Sequence, residues 1–199
     1  MLRTMSLSDD LAVQAREPRH SAFPTRTTRS FAHPGAAEAP RISAATTPHR
    51  TREFHLTLGA GVRVGPALRA LLDNWQAGSG CGRILDGTCE RIQYHLVEPA
   101  EEGPRPYVYG APVVCDGINT VIGASITIGS GANGKRVLHC HGGFIDSTGT
   151  AHGGHFNLDE TRVAGDGLSL RLSLFDGIAL AVSHDTETAY DLLQPVRQS

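Results

Sequence analysis

Three histidines stand at a spacing suited to metal ligation. They are His139, His141 and His155, in the segment VLHCHGGFIDSTGTAHGGHFNL (Val137–Leu158). Side chains on a β-strand alternate between faces, so His139 and His141, two apart, point the same way. The polar stretch Asp146–Thr150 suits a hairpin loop centred on Thr148. With that centre, His141 lies directly opposite His155, and opposite residues of a hairpin have Cβ atoms about 4.5–5.5 Å apart. A loop one residue longer or shorter would bring a neighbour of His155 to that position instead. In the centred register His152 and Cys140 fall on the other face. Three imidazoles on one face are the ligand set of a catalytic-type zinc site, which keeps its fourth position open for water or substrate. The glycines beside them, Gly142, Gly143, Gly153 and Gly154, permit close backbone approach or mark bulges.

Other reactive groups are scattered. Glu90, Arg91, Tyr94, His95 and Glu98 lie on or beside one strand and could act as acids or bases next to a metal-bound water. On that strand Arg91, Gln93 and His95 share a face. His184, followed by Asp185, is a similar candidate. The cysteines Cys81, Cys89, Cys115 and Cys140 form no C-x-x-C pair, so neither a four-cysteine zinc site nor a disulfide framework is expected. There is no G-x-S-x-G. The glycine-rich GSGANGK at 129–135 lacks phosphate-loop spacing and reads as a turn.

Several elements must position these groups. Glu53–Leu58 alternates polar and apolar residues and reads as a strand. PALRALLDNWQ follows a glycine turn. Pro66 suits a first helical turn, Leu68, Leu71, Leu72 and Trp75 share one helical face, and Gly78 suits a stop. Strands are then expected over 82–86, 88–97, 107–114, 120–128, 136–145 and 168–174, with a last one over about 178–184. Pro112 assigns 107–114 to an edge. One principal helix and about seven strands predict an α+β domain with a mainly antiparallel sheet.

Residues 1–52 show no sustained apolar period and are rich in Pro, Ser, Thr, Ala and Arg. Such a segment cannot bury enough apolar surface to offset its ordering entropy, so a disordered basic tail is expected ahead of a domain over 53–199. The tail carries +4 and the rest of the chain −6, within a total of −2. No apolar run is long enough for a membrane helix and no secretory pattern opens the chain, so a cytoplasmic protein is expected.

From about Phe54 to Val196 the chain resembles a PPC (plant and prokaryote conserved) domain. The resemblance rests on four features in order. These are the strand, helix and glycine turn at 54–80, GRILDGTCERIQYHLVEP at 82–99, LHCHGGFIDSTGTAHGGHF at 138–156, and the strand near 178–184. The third is the most specific and matches the H-x-H…GGH pattern of the prokaryotic branch. The resemblance implies one antiparallel sheet carrying a helix, a homotrimer, and His139, His141 and His155 as ligands, most naturally of Zn²⁺. It also implies a fold similar to acetolactate decarboxylase, which holds zinc through a similar histidine set. Plant relatives precede the domain with R-G-R-P elements that enter the DNA minor groove, and residues 1–52 contain none. The first functional expectation is therefore a metal-binding domain that handles a small molecule, with or without catalysis. The alternative is a DNA-binding regulatory protein. The net negative domain, with Lys135 as its single lysine, argues against the latter, because phosphate contacts come from Lys and Arg.

Overall fold

The computed structural model describes residues 33–37 and 50–197. Most of the expected tail lies outside the described residues. Arg50–Arg52 do not belong to it: the first strand, β1 (Arg50–Leu58), starts three residues before Glu53. Its opening arginines are anchored by one carboxylate. Arg50 Nε and Arg52 Nη2 donate to Asp176 at 2.9 and 3.1 Å.

The helix α1 (Val64–Asn74) carries the expected apolar face. Val64, Leu68 and Leu72 are fully buried, and Trp75 stacks on Phe54 at 4.0 Å between ring centroids. The other regular elements among the described residues are strands: β2 (Ser79–His95), β3 (Val97–Pro99), β4 (Tyr107–Tyr109), β5 (Val113–Ser130), β6 (Arg136–Ile145), β7 (Ala151–Phe156), β8 (Arg162–Asp176), β9 (Ile178–His184) and β10 (Asp191–Arg197). The main sheet has eight strands in the order β1-β8-β2-β7-β6-β5-β9-β10, and β3 and β4 form a separate two-stranded sheet.

The α+β class therefore holds, with corrections to the sheet. It has eight strands rather than about seven, and it is mixed, because β5 meets β9 in parallel at Ser130 and Ala181. Residues 82–86 and 88–95 form one long strand rather than two, and Val97 belongs to β3. Gly87, at φ 123°, lets β2 continue through irregular pairing instead of ending. Residues 107–114 are not one edge strand: the chain leaves β4 before Pro112 and re-enters the main sheet as β5, which lies between β2 and β6. The strand over 178–184 does not close the domain, since β10 pairs beyond it and accommodates Pro195 at the sheet edge.

Strands β2, β5, β6 and β7 close on themselves. β2 pairs with β5, β5 with β6, β6 with β7, and β7 returns to Tyr94 and His95 of β2. Inside this ring Tyr94, Phe144 and Phe156 pack edge to face. Those residues, with Cys140, Ile126 and Leu172, belong to the same buried core as the helix. His139, His141 and His155 alternate with core residues and so occupy the opposite face of the sheet.

Candidate metal centre

The hairpin that carries the histidines has the expected register. His141 is opposite His155, Phe144 opposite His152, and Ile145 opposite Ala151, which leaves Asp146–Thr150 as the loop. Local chemistry explains the loop. Asp146 Oδ1 accepts from the Thr148 and Thr150 backbone N–H groups, each at 2.9 Å, and from Thr148 Oγ1 at 2.7 Å. Gly149 takes φ 86°, a conformation open to glycine at little cost. These bonds, led by the Thr148 hydroxyl, hold the Asp146 carboxyl below the usual carboxylate range.

The other carboxylate oxygen, Asp146 Oδ2, accepts from His152 Nε2 at 2.8 Å. His152 Nδ1 is then left to accept from the Tyr94 hydroxyl at 3.0 Å. Its ring stacks on Phe144 at 5.0 Å. His152 is thus a satisfied core group on the far face, as the alternation requires. Cys140 is fully buried on that face too, and burial pushes its thiol up to about 12.

On the near face the three ring systems converge, with centroids 4.7, 4.8 and 5.1 Å apart. Nε2 of His139 and Nε2 of His141 lie 3.0 Å apart, and His155 Nδ1 lies 3.5 Å from His141 Nε2. Two nitrogens bound tetrahedrally to one zinc, each at about 2.0–2.1 Å, stand roughly 3.3 Å apart. The observed spacings bracket that value, and one nitrogen from each ring falls within 4.8 Å of the others. The donor set therefore fits a single ion. His155 is half-buried, and desolvation, followed by the neighbouring imidazoles, lowers it to about 4. His139 is lowered for the same reasons, burial first. Both are neutral at physiological pH, the form that binds metal.

Gly142 and Gly154 mark close approach of neighbouring strands. A Cβ on Gly142 would meet the Ala124 Cβ at 2.5 Å, and one on Gly154 would meet the His95 carbonyl oxygen at 2.5 Å. Without side chains there, β6 can lie close against β5 and β7 close against β2, which brings the histidines of β6, β7 and β2 together.

Two further groups complete the site. His95 is directly opposite His155, with ring centroids 6.4 Å apart. Its Nδ1 is 2.9 Å from the Gly110 carbonyl oxygen, which can only accept, so Nδ1 carries a proton and, in the neutral ring, Nε2 is the acceptor. Tyr109 stacks on His155 at 4.6 Å and tilts against His95 at 5.9 Å. Tyr109 gave no sequence signal, because the β3–β4 hairpin that delivers it is placed by long-range pairing. The remaining candidates sit elsewhere. Glu90 pairs with Arg162, Arg91 with Asp116, and His184 with Asp191. Tyr94 is in the core, and Glu98 lies against Gly110.

No family model matches the sequence, and neither does any curated protein. Solved structures do. A PPC protein from Pyrococcus horikoshii superposes with a TM-score of 0.59 at 14% identity, over 79% of this chain and 99% of that one. This chain shares its fold with that PPC protein. A metal-containing protein from Archaeoglobus fulgidus matches with a TM-score of 0.60 at 14% identity, over 75% of this chain and 98% of that chain. A candidate DNA-binding protein from Ralstonia eutropha matches at 0.55 and 17%, over 69% and 88%. At these identities the likeness is one of fold. Among the described residues no helix is long and apolar enough to cross a membrane.

Proposed function

We propose that the chain is a zinc-binding PPC-domain protein. In this reading His139, His141 and His155 hold one Zn²⁺ per chain, and the remaining coordination position serves a small molecule. The observation that carries it is the cluster of three ring nitrogens, spaced for one tetrahedral ion on a face away from the core. Bound zinc supplies a Lewis acid and lowers the pKa of a coordinated water. The protein's own part is positional. The Asp146 loop fixes the hairpin register, burial keeps His139 and His155 neutral, and the Tyr109 ring covers one side of His155. His95 Nε2 offers a hydrogen-bond acceptor beside the site, suited to a coordinated hydroxyl or water. Three convergent histidines with a coordination position left open support a metal-dependent lyase or hydrolase as the class of activity, proposed for a cytoplasmic setting.

The same reading includes a homotrimer. The β3–β4 hairpin and the strand after it leave Leu96, Val97, Tyr107, Val108, Tyr109 and Val114 between 38% and 61% exposed, an apolar surface that association would cover.

Elemental analysis of purified protein tests the metal. Wild type should carry about one zinc per chain, and His139→Ala and His155→Ala should each lose it, since three ligands are the minimum for such a site. Full retention in both variants would refute the assignment.

DNA association is the second reading, favoured by the fold neighbours described as candidate DNA-binding proteins. Moving Arg50 and Arg52 into the sheet takes the domain from −6 to −4, still repulsive to phosphate. Binding by the full chain would therefore rest on the arginines before Arg50 and fall steeply with salt. Gel shifts across a salt series, with and without residues 1–49, decide it. Salt-resistant, sequence-selective binding by the shortened chain would make DNA recognition the leading function.

A further inference from the structure

We infer that the site reads an acid group on its ligand, and that Arg83 is the residue that holds it. The inference rests on the metal reading above for the ligand's other end.

The register across the sheet sets the geometry. His155 is opposite His141, His141 opposite Ser125, Ser125 opposite Arg83, and Arg83 opposite Arg171. One row of outward-facing residues therefore runs from the histidines to two arginines. Their neighbours in sequence, Cys140, Ala124, Ile126, Gly82, Ile84, Leu170 and Leu172, all point into the core, which fixes the outward direction of the row. Between His141 and Arg83 the floor is low. Only Ser125 stands in the row, flanked by Gly123 and Thr127 on the same strand and Gly143 beside His141. Two strand spacings, about 9–10 Å, separate the Cα atoms of His141 and Arg83. A long arginine side chain covers much of that span. What remains suits a ligand only a few bonds long, with a metal-binding oxygen at one end and a carboxylate at the other.

Charge supplies the second argument. Like charges directly opposite on a sheet face are destabilising. Arg83 and Arg171 are such a pair, and among the described residues only Arg171 has an acid partner. That acid, Glu53, lies 3.5 Å from Arg171 and also accepts from the Ser173 hydroxyl at 2.8 Å. Arg83 is exposed and makes no hydrogen bond or ion pair with another described residue. The row thus holds an exposed arginine with no acid partner among the described residues, two strands from His141 with only Ser125 between them. A carboxylate is its natural complement, because the guanidinium fork matches that group with two parallel hydrogen bonds.

The test uses the full chain and succinate as probe, with acetate as the one-ended control. Binding is measured calorimetrically to zinc-loaded and zinc-stripped protein, for wild type, Arg83→Met and Arg171→Met, with metal content determined for each. Succinate should bind the zinc-loaded wild type more tightly than acetate. Arg83→Met should weaken succinate by about tenfold or more while leaving acetate binding and zinc content unchanged. Arg171→Met, whose arginine is already held by Glu53, should change succinate binding less. The zinc-stripped Arg83→Met protein should melt no lower than stripped wild type, since a like-charge pair has been removed. Equal succinate affinity in wild type and Arg83→Met, or no succinate binding by zinc-loaded wild type, overturns the inference. If purified wild type takes up no zinc, the metal reading fails instead. Arg83 is then judged by whether the metal-free chain binds succinate and loses it in Arg83→Met.

Discussion

Replacing Gly154 by alanine should damage the centre without touching a ligand. Gly154 precedes His155 on β7, where the strand crosses onto β2. A Cβ there would lie 2.5 Å from the His95 carbonyl oxygen and 3.0 Å from the Tyr94 ring. The first distance is roughly 1 Å inside ordinary van der Waals contact. The obstacle is backbone, so no rotamer change relieves it, and β7 must move away from β2 by a comparable amount. Overpacking of this kind costs about 1–3 kcal/mol. It also shifts His155 by enough to spoil a ligand set whose bond lengths are fixed to a few tenths of an ångström. Gly143→Ala is the control, since a Cβ there meets nothing closer than the His152 carbonyl oxygen at 3.4 Å. Chemical denaturation of the metal-free proteins should show the loss in Gly154→Ala and near-neutrality in Gly143→Ala. Competition against a zinc chelator should show weaker zinc binding in the first variant only. Equal stability and equal zinc affinity in the two variants would refute the close-approach explanation of the glycines.

Other outcomes follow from the same geometry. His152→Ala should keep its zinc but lose about 1–3 kcal/mol of stability, because it breaks bonds to Asp146 and Tyr94 and empties space beside Phe144; metal loss with unchanged stability would invert the assignment of faces. In the metal-free protein the folded His155 resists protonation down to about 4, whereas the unfolded chain protonates near 6.5. Stability should therefore fall as pH drops through that window. His155→Gln should show a shallower fall in denaturation midpoints, and an unchanged slope would contradict the shift. Light scattering at micromolar concentration should report a trimer, and Val97→Arg with Val108→Glu, on the exposed β3–β4 hairpin, should dissociate it; a wild-type monomer would rule the trimer out.

How much was legible in the sequence depended on the range of the interactions. The hairpin was readable because its register is local. Two histidines two apart, a five-residue polar loop held by Asp146 and Gly149, and a period of two settle which side chains share a face. The helix was readable because Leu68, Leu72 and Trp75 repeat at its period, although it starts two residues before Pro66. Long-range pairing was not readable. His95 lies 60 residues from His155 in sequence and meets it only because the ring of β2, β5, β6 and β7 closes. The end of β4 brings Tyr109 over His155 for the same non-local reason. Gly87 was read as a break when the strand bends through it, and Pro195 obscured β10, which tolerates it as an edge. Arg83 looked like one more exposed arginine until the register placed it in line with the histidines.

Diffraction from crystals of the purified full chain, recorded on both sides of the zinc absorption edge, shows whether His139, His141 and His155 hold a zinc ion. One anomalous zinc peak per chain is expected, about 2.0–2.1 Å from ring nitrogens of His139, His141 and His155, with a non-protein ligand completing a tetrahedron. A chain that has been exposed to zinc and shows no peak there, or a peak held by other residues, would contradict it.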